Sequence, residues 1–440
     1  MARPRRRGGG LVLVAMAAAC GRLVLVAMAA ACGRLVLAAM AASCGGLALV
    51  AMAAACGGPA PGPADASLRD SAGVRIIESG VPAWESGSAW RLSAEPVLSI
   101  GRTAGAAAYL FHGIVGAHRL SDGRIAVANY DPHEIRYFDA HGRHLMSAGG
   151  QGDGPGEFRF MSLVWRLPGD TLVVSDLRGL TLMGPTGDYV RSVQLVIPEG
   201  ARRSQAVAQL DDGTILGQAG ARGNTPPDGG QMVHDTLVFS RFEADGSNGR
   251  WFAREPGSAR WWPEGEPAAR RLPFSSRPAW AAAGASFYTA SGIDPEVRIW
   301  RADGSLERIV RWSMPPRPVT PELVERYRAH LLGSSANDDA RRRQQAFLAE
   351  VPMPDRLPAV AETRILVDDD ANLWLERYQP PWEESREWIV LSADGDWLGS
   401  VGMPGRFTPL DIGADEVLGA WRDDVGVEYV RAYALIKTRR

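Results

Sequence analysis

The chain has 440 residues, with 48 Lys and Arg against 50 Asp and Glu for a formal charge of −2, and 46% of its residues are hydrophobic. That balance excludes a nucleic-acid partner held by a basic face, and it supplies enough apolar residues for one large core. All four cysteines, Cys20, Cys32, Cys44 and Cys56, fall in the first 56 positions, so the rest of the chain has no thiol for a disulfide, a zinc site or a nucleophile.

Residues 1–56 read as a leader. Arg5, Arg6 and Arg7 precede an alanine, leucine and valine tract, a basic segment followed by an apolar one, as in a secretory signal. The tract repeats with a period of twelve, starting at Leu11, Leu23, Leu35 and Leu47, and each copy ends Ala-Ala-Cys or Ala-Ser-Cys followed by glycine. This ending resembles the lipobox of bacterial lipoproteins. The resemblance implies that one of Cys20, Cys32, Cys44 and Cys56 carries a lipid thioether and that the protein is extracytoplasmic, held at the periplasmic face or the cell surface. A plain apolar anchor is the alternative for a tract this long. Cys20 fits the usual length of a signal, whereas Cys56 directly precedes residues 57–72, whose Gly-Gly-Pro-Ala-Pro-Gly-Pro-Ala start is a flexible tether.

From residue 73 to 440 the periodicity changes to short β-branched and aromatic runs separated by Asp-Gly or His-Gly turns. Residues 120–158 show the unit most clearly: turn 121–123, apolar run 125–128, loop 130–134, strand 135–138, turn 140–142 and strand 144–147. Such a layout predicts an antiparallel meander. Its recurrence predicts an all-β fold, a six-bladed β-propeller of four-stranded antiparallel blades. Blades are expected from about 109, 158, 205, 278, 364 and 411, with the long loop 220–235 in the third. The last blade ends one strand short, and 97–101 looks like an orphan strand, so the N-terminal strand should close the ring. Between blades four and five, residues 320–350 change to helical spacing. Thr320 can cap, Pro321 suits the first helical turn, and Leu323, Tyr327 and Leu331 share a face, which predicts a helical insertion covering part of the propeller.

The glycine-rich run 149–158, GGQGDGPGEF, follows the turn 138–142 and is echoed more briefly at 404–407. With these residues the chain resembles the six-bladed β-propeller lipoproteins, NHL-like and TolB-like, of environmental bacteria, over about 73–435. The resemblance implies the fold and leaves activity open, because propellers host unrelated functions. The run itself leads into a strand and not a helix, so it reads as a crossover in which Phe158 wedges between sheets, and not as a phosphate cradle.

Meander geometry places the crossovers and the loops between second and third strands at one end of every blade. That end gathers the candidate ligand-binding residues Asn129, Asp131, His133, Asp176, Arg178, Asp294, Arg377, Tyr378, Trp382, Arg422 and Asp423. No catalytic or metal-ligand set stands out. Five of the seven histidines (His112, His118, His133, His141 and His144) belong to one blade, whereas a metal on a propeller axis draws ligands from several. The sequence therefore predicts a monomeric, non-catalytic module without a cofactor, lipid-tethered to the membrane, which binds an envelope protein, a peptide or a glycan. The alternative is a calcium-dependent hydrolase or lyase using oxygen donors such as Asn129, Asp176 and Asp423.

Overall fold

The computed structural model describes residues 67–84, 89–176, 179–199, 204–220, 230–264, 266, 268–361 and 364–437. The leader, most of the expected tether and Arg178 lie outside them. Among the described residues no helix is long and apolar enough to cross a membrane.

The chain enters through β1 (Ser67–Ser71), β2 (Val74–Ser79), β3 (Arg91–Leu92) and β4 (Leu98–Ile100), and then builds six sheets. The first sheet is β5 (Ile114–Arg119), β6 (Ile125–Asn129), β7 (Glu134–Phe138) and β8 (His144–Gly149). The second is β9 (Leu163–Arg166), β10 (Leu172–Ser175), β11 (Gly179–Met183) and β12 (Tyr189–Gln194). The third has β13 (Gln205–Gln209), β14 (Ile215–Gly220), the long hairpin β15 (Gln231–Phe242) and β16 (Arg250–Trp262), and the short β17 (Arg270–Arg271). The fourth contains β18 (Ala279–Ala283), β19 (Ser286–Ala290), β20 (Glu296–Arg301) and β21 (Leu306–Trp312). Helices α1 (Pro321–Gly333) and α2 (Asp338–Glu350) follow. The fifth sheet is β22 (Leu366–Val367), β23 (Leu373–Glu376), β24 (Arg386–Leu391) and β25 (Trp397–Met403), and the sixth is β26 (Phe407–Ile412), β27 (Glu416–Arg422) and β28 (Glu428–Ile436).

Each sheet is an antiparallel meander in sequence order. Successive sheets touch in a cycle, mostly through their first strands: β5 lies against β9, β13 against the second strand β10, β18 against β13, β22 against β18, β26 against β22, and β26 again against β5. The apolar core of the described residues is divided the same way, into six clusters that each join two successive sheets and a seventh beneath the helices. Phe158, Met161 and Val164 pack on Ile135 and Tyr137 between the first and second sheets, while Ile100, Phe138, Leu418 and Val430 join the sixth back to the first. Because middle strands are covered on both faces, β6 and β7 are buried almost throughout and lose the alternation of a half-exposed strand. Phe158 takes its wedge position as expected. Gly149 permits it, having φ 98° and no room for a side chain, since a Cβ there would lie 2.5 Å from the Phe158 ring.

The sixth sheet is completed from the N-terminus. Ile100, Ser99 and Leu98 pair antiparallel with Val430, Arg431 and Ala432, and Leu92 pairs with Leu435. The sequence gives no hint of what precedes this. Ser67–Ser71, assigned to the tether, already forms a hairpin with β2, and β2 runs parallel to β21, extending the fourth sheet to six strands. Ala83 and Trp84 then donate backbone hydrogen bonds to Trp397 and Leu398 of the fifth sheet, 2.8 Å each. The N-terminal segment is thus a belt across the outer strands of three consecutive sheets.

The stretch 411–420 is broken at Gly413, where β26 turns into β27. Trp261 and Trp262 end β16, and Trp261 packs under the helices with Leu272, Phe347 and Leu348. The helices begin as their sequence dictates. Thr320 Oγ1 accepts from Leu323 N at 3.4 Å, and Asn337 Oδ1 accepts from Ala340 N at 2.9 Å.

Candidate functional site

All first strands run the same way, so their starts share one end with the crossovers and the loops between second and third strands. At this end a cavity of about 1070 Å³ opens among the starts of β5 and β26, the loops after β23 and β27, and α1. Four of the eleven candidates border it: Tyr378, Trp382, Arg422 and Asp423. The loop after β23 contributes the two aromatic groups, and the hairpin loop after β27 contributes the charged pair.

Helix α1 forms the cavity's far wall. Tyr327 lines it, stacks on Phe274 at 4.6 Å between ring centroids, and stands 6.5 Å from the Trp382 ring. Trp382 is further held by the Arg326 guanidinium, 5.1 Å from its ring centre, and by His330 at 5.8 Å. Its indole Nε1 is buried and has no partner. Burial pushes the Tyr378 phenol up to about 12, with Tyr327 adding to the rise, so the hydroxyl remains a neutral donor and acceptor throughout the ordinary pH range. The cavity therefore offers aromatic surface and a hydroxyl on one side.

The other side is ionic and largely self-paired. Arg386 lies 3.4 Å from Glu376, and Arg406 is bonded to Asp424. Arg422 donates from Nε to Glu428 Oε1 at 2.8 Å. Sequence reasoning missed Glu428, which is 5% exposed and does more than hold this arginine. Its other oxygen accepts the backbone N–H groups of Gly113, 2.6 Å, and Ile114, 3.0 Å, where β5 begins. Burial alone would raise its pKa. The Arg422 guanidinium and the two N–H groups outweigh that and keep the carboxyl below its ordinary value. One carboxylate thus ties the last sheet to the first at the edge of the cavity. Its sequence signal was an acidic residue opening a strand that is otherwise apolar and aromatic apart from Arg431.

The remaining candidates are not brought together. Asn129 is fully buried; its Oδ1 accepts from His112 N at 2.9 Å and its Nδ2 donates to Asp131 O, so it ties its loop to the segment before β5. Asp131 sits in that loop on the surface. His133, at φ 66°, is buried with its ring stacked on Tyr130 at 4.7 Å. Asp176 Oδ1 accepts from Gly179 N at 2.9 Å, closing the turn into β11. Asp294 is paired with Arg356 at 2.7 Å. Arg377 is bonded to Glu387 at 2.6 Å and borders a separate cavity of about 350 Å³ beside Trp84 and Trp397. Asp423 borders the main cavity but also spends Oδ1 on Val425 N and Val427 N, at 3.1 and 2.8 Å. The three oxygen donors considered for calcium, Asn129, Asp176 and Asp423, are therefore each engaged by backbone N–H groups. Among the described residues no three His, Cys, Asp or Glu side chains converge on a point.

No family model matches the sequence, and no curated protein matches it. Among solved structures, the chain is similar to a member of the DUF4221 family from Bacteroides vulgatus, at 12% identity and TM-score 0.46, covering 80% of this chain and 99% of that one. It is also similar to a gluconolactonase from Xanthomonas campestris, at 12% identity and TM-score 0.40, covering 78% and 100%. A third is the PQQ-bound aldose sugar dehydrogenase of Streptomyces coelicolor, at 14% identity and TM-score 0.39, covering 78% and 98%. The β-propeller-like fold of this chain rests on its own meander sheets and their cyclic contacts.

Proposed function

We propose that the protein is a six-bladed β-propeller whose ring is closed by its own N-terminal strands, exported and lipid-anchored through one leader cysteine, and that it binds a peptide or glycan segment of the cell envelope in the cavity beside α1. The observation that carries the binding reading is the convergence of Tyr378, Trp382 and Tyr327 with Arg422 and Asp423 around one open volume of about 1070 Å³. Aromatic faces with a few placed polar groups suit an extended polymer segment, which gains contact area from the rings and orientation from the charges. The helices act as a fixed wall: α1 and α2 pack through Tyr327, Leu331, Phe347 and Leu348 on Leu272 and Trp261, and Arg326 of α1 pairs with Glu383 at the cavity edge, 3.8 Å apart.

The lipid anchor is supported by the four-fold repetition of a small-small-Cys-Gly ending. A domain carried outside the cytoplasm on a tether has its cavity free to meet envelope polymers.

Binding is tested by presenting the full-length protein to immobilised envelope peptides and cell-wall glycans, alongside Tyr378→Ala and Arg422→Ala. The reading expects a discrete set of ligands retained by the wild type and lost by roughly tenfold or more in Tyr378→Ala, as for an interface aromatic anchor. Ligands retained equally by both variants would place binding elsewhere.

A further inference from the structure

We infer that the opposite mouth of the central channel is a second binding site, specific for a small carboxylate with an apolar body. A cavity of about 500 Å³ lies at the ends of the first strands, and residues from all six sheets line it: His118, Trp165, Gln209, Trp280, Arg364 and Asp411. Leu410 borders both this cavity and the larger one, so the two are successive parts of one channel. This volume is in the range that encloses a small molecule.

Four aspartates line it as well, Asp211, Asp368, Asp369 and Asp411, and Asp369 lies 4.0 Å from Arg166. Asp411 accepts from Arg119 N at 2.9 Å and faces His118 Nδ1 at 3.7 Å. Asp368 is saturated by Asn372 and by Trp374 Nε1 at 2.9 Å, and Arg166 lies 3.3 Å from Asp170. Arg364, immediately before β22, has no hydrogen-bond or ion-pair partner among the described residues. Burial pushes its guanidinium down to about 10, and no carboxylate stands near enough to counter that. A cation so placed is costly unless an anion joins it, and the planar fork of a guanidinium matches a carboxylate with two parallel hydrogen bonds.

The rest of the wall selects the body of the ligand. Leu163, Val207, Ile365 and Leu410 are apolar, and the indoles of Trp165 and Trp280 border the same space. A single unpaired guanidinium in a wall that also carries Asp211, Asp368, Asp369 and Asp411 favours a monocarboxylate over a polyanion, because each additional negative charge would face an aspartate with no cation to meet it.

Calorimetric titration of the full-length protein tests this, with 3-phenylpropanoate, its uncharged amide and inorganic phosphate as probes. The wild type should bind the carboxylate at about millimolar Kd or tighter, and the amide and phosphate at least tenfold more weakly. Arg364→Met should lose the carboxylate preference, while melting without ligand at or above the wild-type temperature, because it removes an uncompensated charge. Tyr378→Ala, at the other mouth, should bind 3-phenylpropanoate as the wild type does, whatever becomes of the polymer-binding reading. Equal affinity for acid and amide, tighter binding of phosphate, full binding by Arg364→Met, a clearly lowered melting temperature of Arg364→Met, or no binding by the wild type would each overturn the assignment.

Discussion

Glu428→Gln is the sharpest probe of how the two ends of the chain hold each other. In the wild type one oxygen accepts two backbone N–H groups of the first sheet, at 2.6 and 3.0 Å, and the other accepts from Arg422. An amide can satisfy only one side. If its oxygen serves Gly113 and Ile114, its NH₂ group faces a guanidinium; if it turns round, two N–H groups at a buried position lose their acceptor. Either orientation removes at least one charge-assisted bond, each worth about 1.5–3 kcal/mol, and Glu428→Ala, which leaves both N–H groups and Arg422 unpaired, should cost about 3–5 kcal/mol. For about 370 residues of folded chain, at roughly 2 cal/mol/K per residue, that corresponds to a melting temperature lowered by about 4–6 °C for Ala and about half that for Gln. The pH dependence has a definite sign. The folded pKa of Glu428 lies below its ordinary 4.5, so its contribution is complete above 4.5 and is lost as pH falls through the lower folded value. The gap between wild type and Glu428→Gln, followed by calorimetry, should therefore be full at pH 7, shrink below 4.5 and approach zero in stronger acid. A gap that stays constant from pH 7 to pH 3, or none at pH 7, would refute the clamp.

Other expectations can be checked with simple variants. Gly399→Ala would set a Cβ 2.3 Å from the Trp84 ring at φ 154°, so the belt should lift from the fifth sheet; limited proteolysis should cut near residue 84 many times faster than in the wild type. Glu255 behaves oppositely to Glu428. Its burial raises the pKa despite Thr289 and Arg298, so the ionised form is disfavoured, stability is lost as pH rises from 4.5 through the folded value, and Glu255→Gln should melt no lower than the wild type at pH 7. Ile100 is 1% exposed on the strand that completes the sixth sheet, and Ile100→Ala should destabilise by about 2–5 kcal/mol in denaturant titrations. Metabolic labelling with an alkynyl palmitate should mark the wild type and spare a variant with Cys20, Cys32, Cys44 and Cys56 all changed to serine; equal labelling would remove the lipid anchor from the account.

The sheets were legible because their turns repeat a chemistry. Asp122, Asp212 and Asp303 each accept a backbone N–H two residues on, and the following glycine takes a positive φ, so the turns announce themselves in sequence. The pairing of Leu98–Ile100 with β28 was legible from a strand missing at one end and spare at the other. The belt was not, because nothing in Val74–Ser79 encodes that it will lie parallel to a segment more than two hundred residues away. Site residues were harder still. Asn129, His133 and Asp176 are the polar residues any loop inventory selects, yet Asn129 ties its loop to the segment before β5, the His133 ring packs on Tyr130, and Asp176 closes the turn into β11. Arg364 carries no signal in the sequence, where it only opens the fifth blade, since a lack of partners becomes visible only when the surroundings are assembled.

The claim that the mouth beside α1 is a binding surface is tested most directly by hydroxyl-radical footprinting of the protein with and without a captured peptide or glycan. Oxidation of Trp382, Tyr378 and Tyr327 should fall several-fold in the complex, while that of Met146 and Tyr189, exposed away from the cavity, stays unchanged. Protection confined to Met146 and Tyr189, with the three aromatic groups oxidised as in the free protein, would contradict the account.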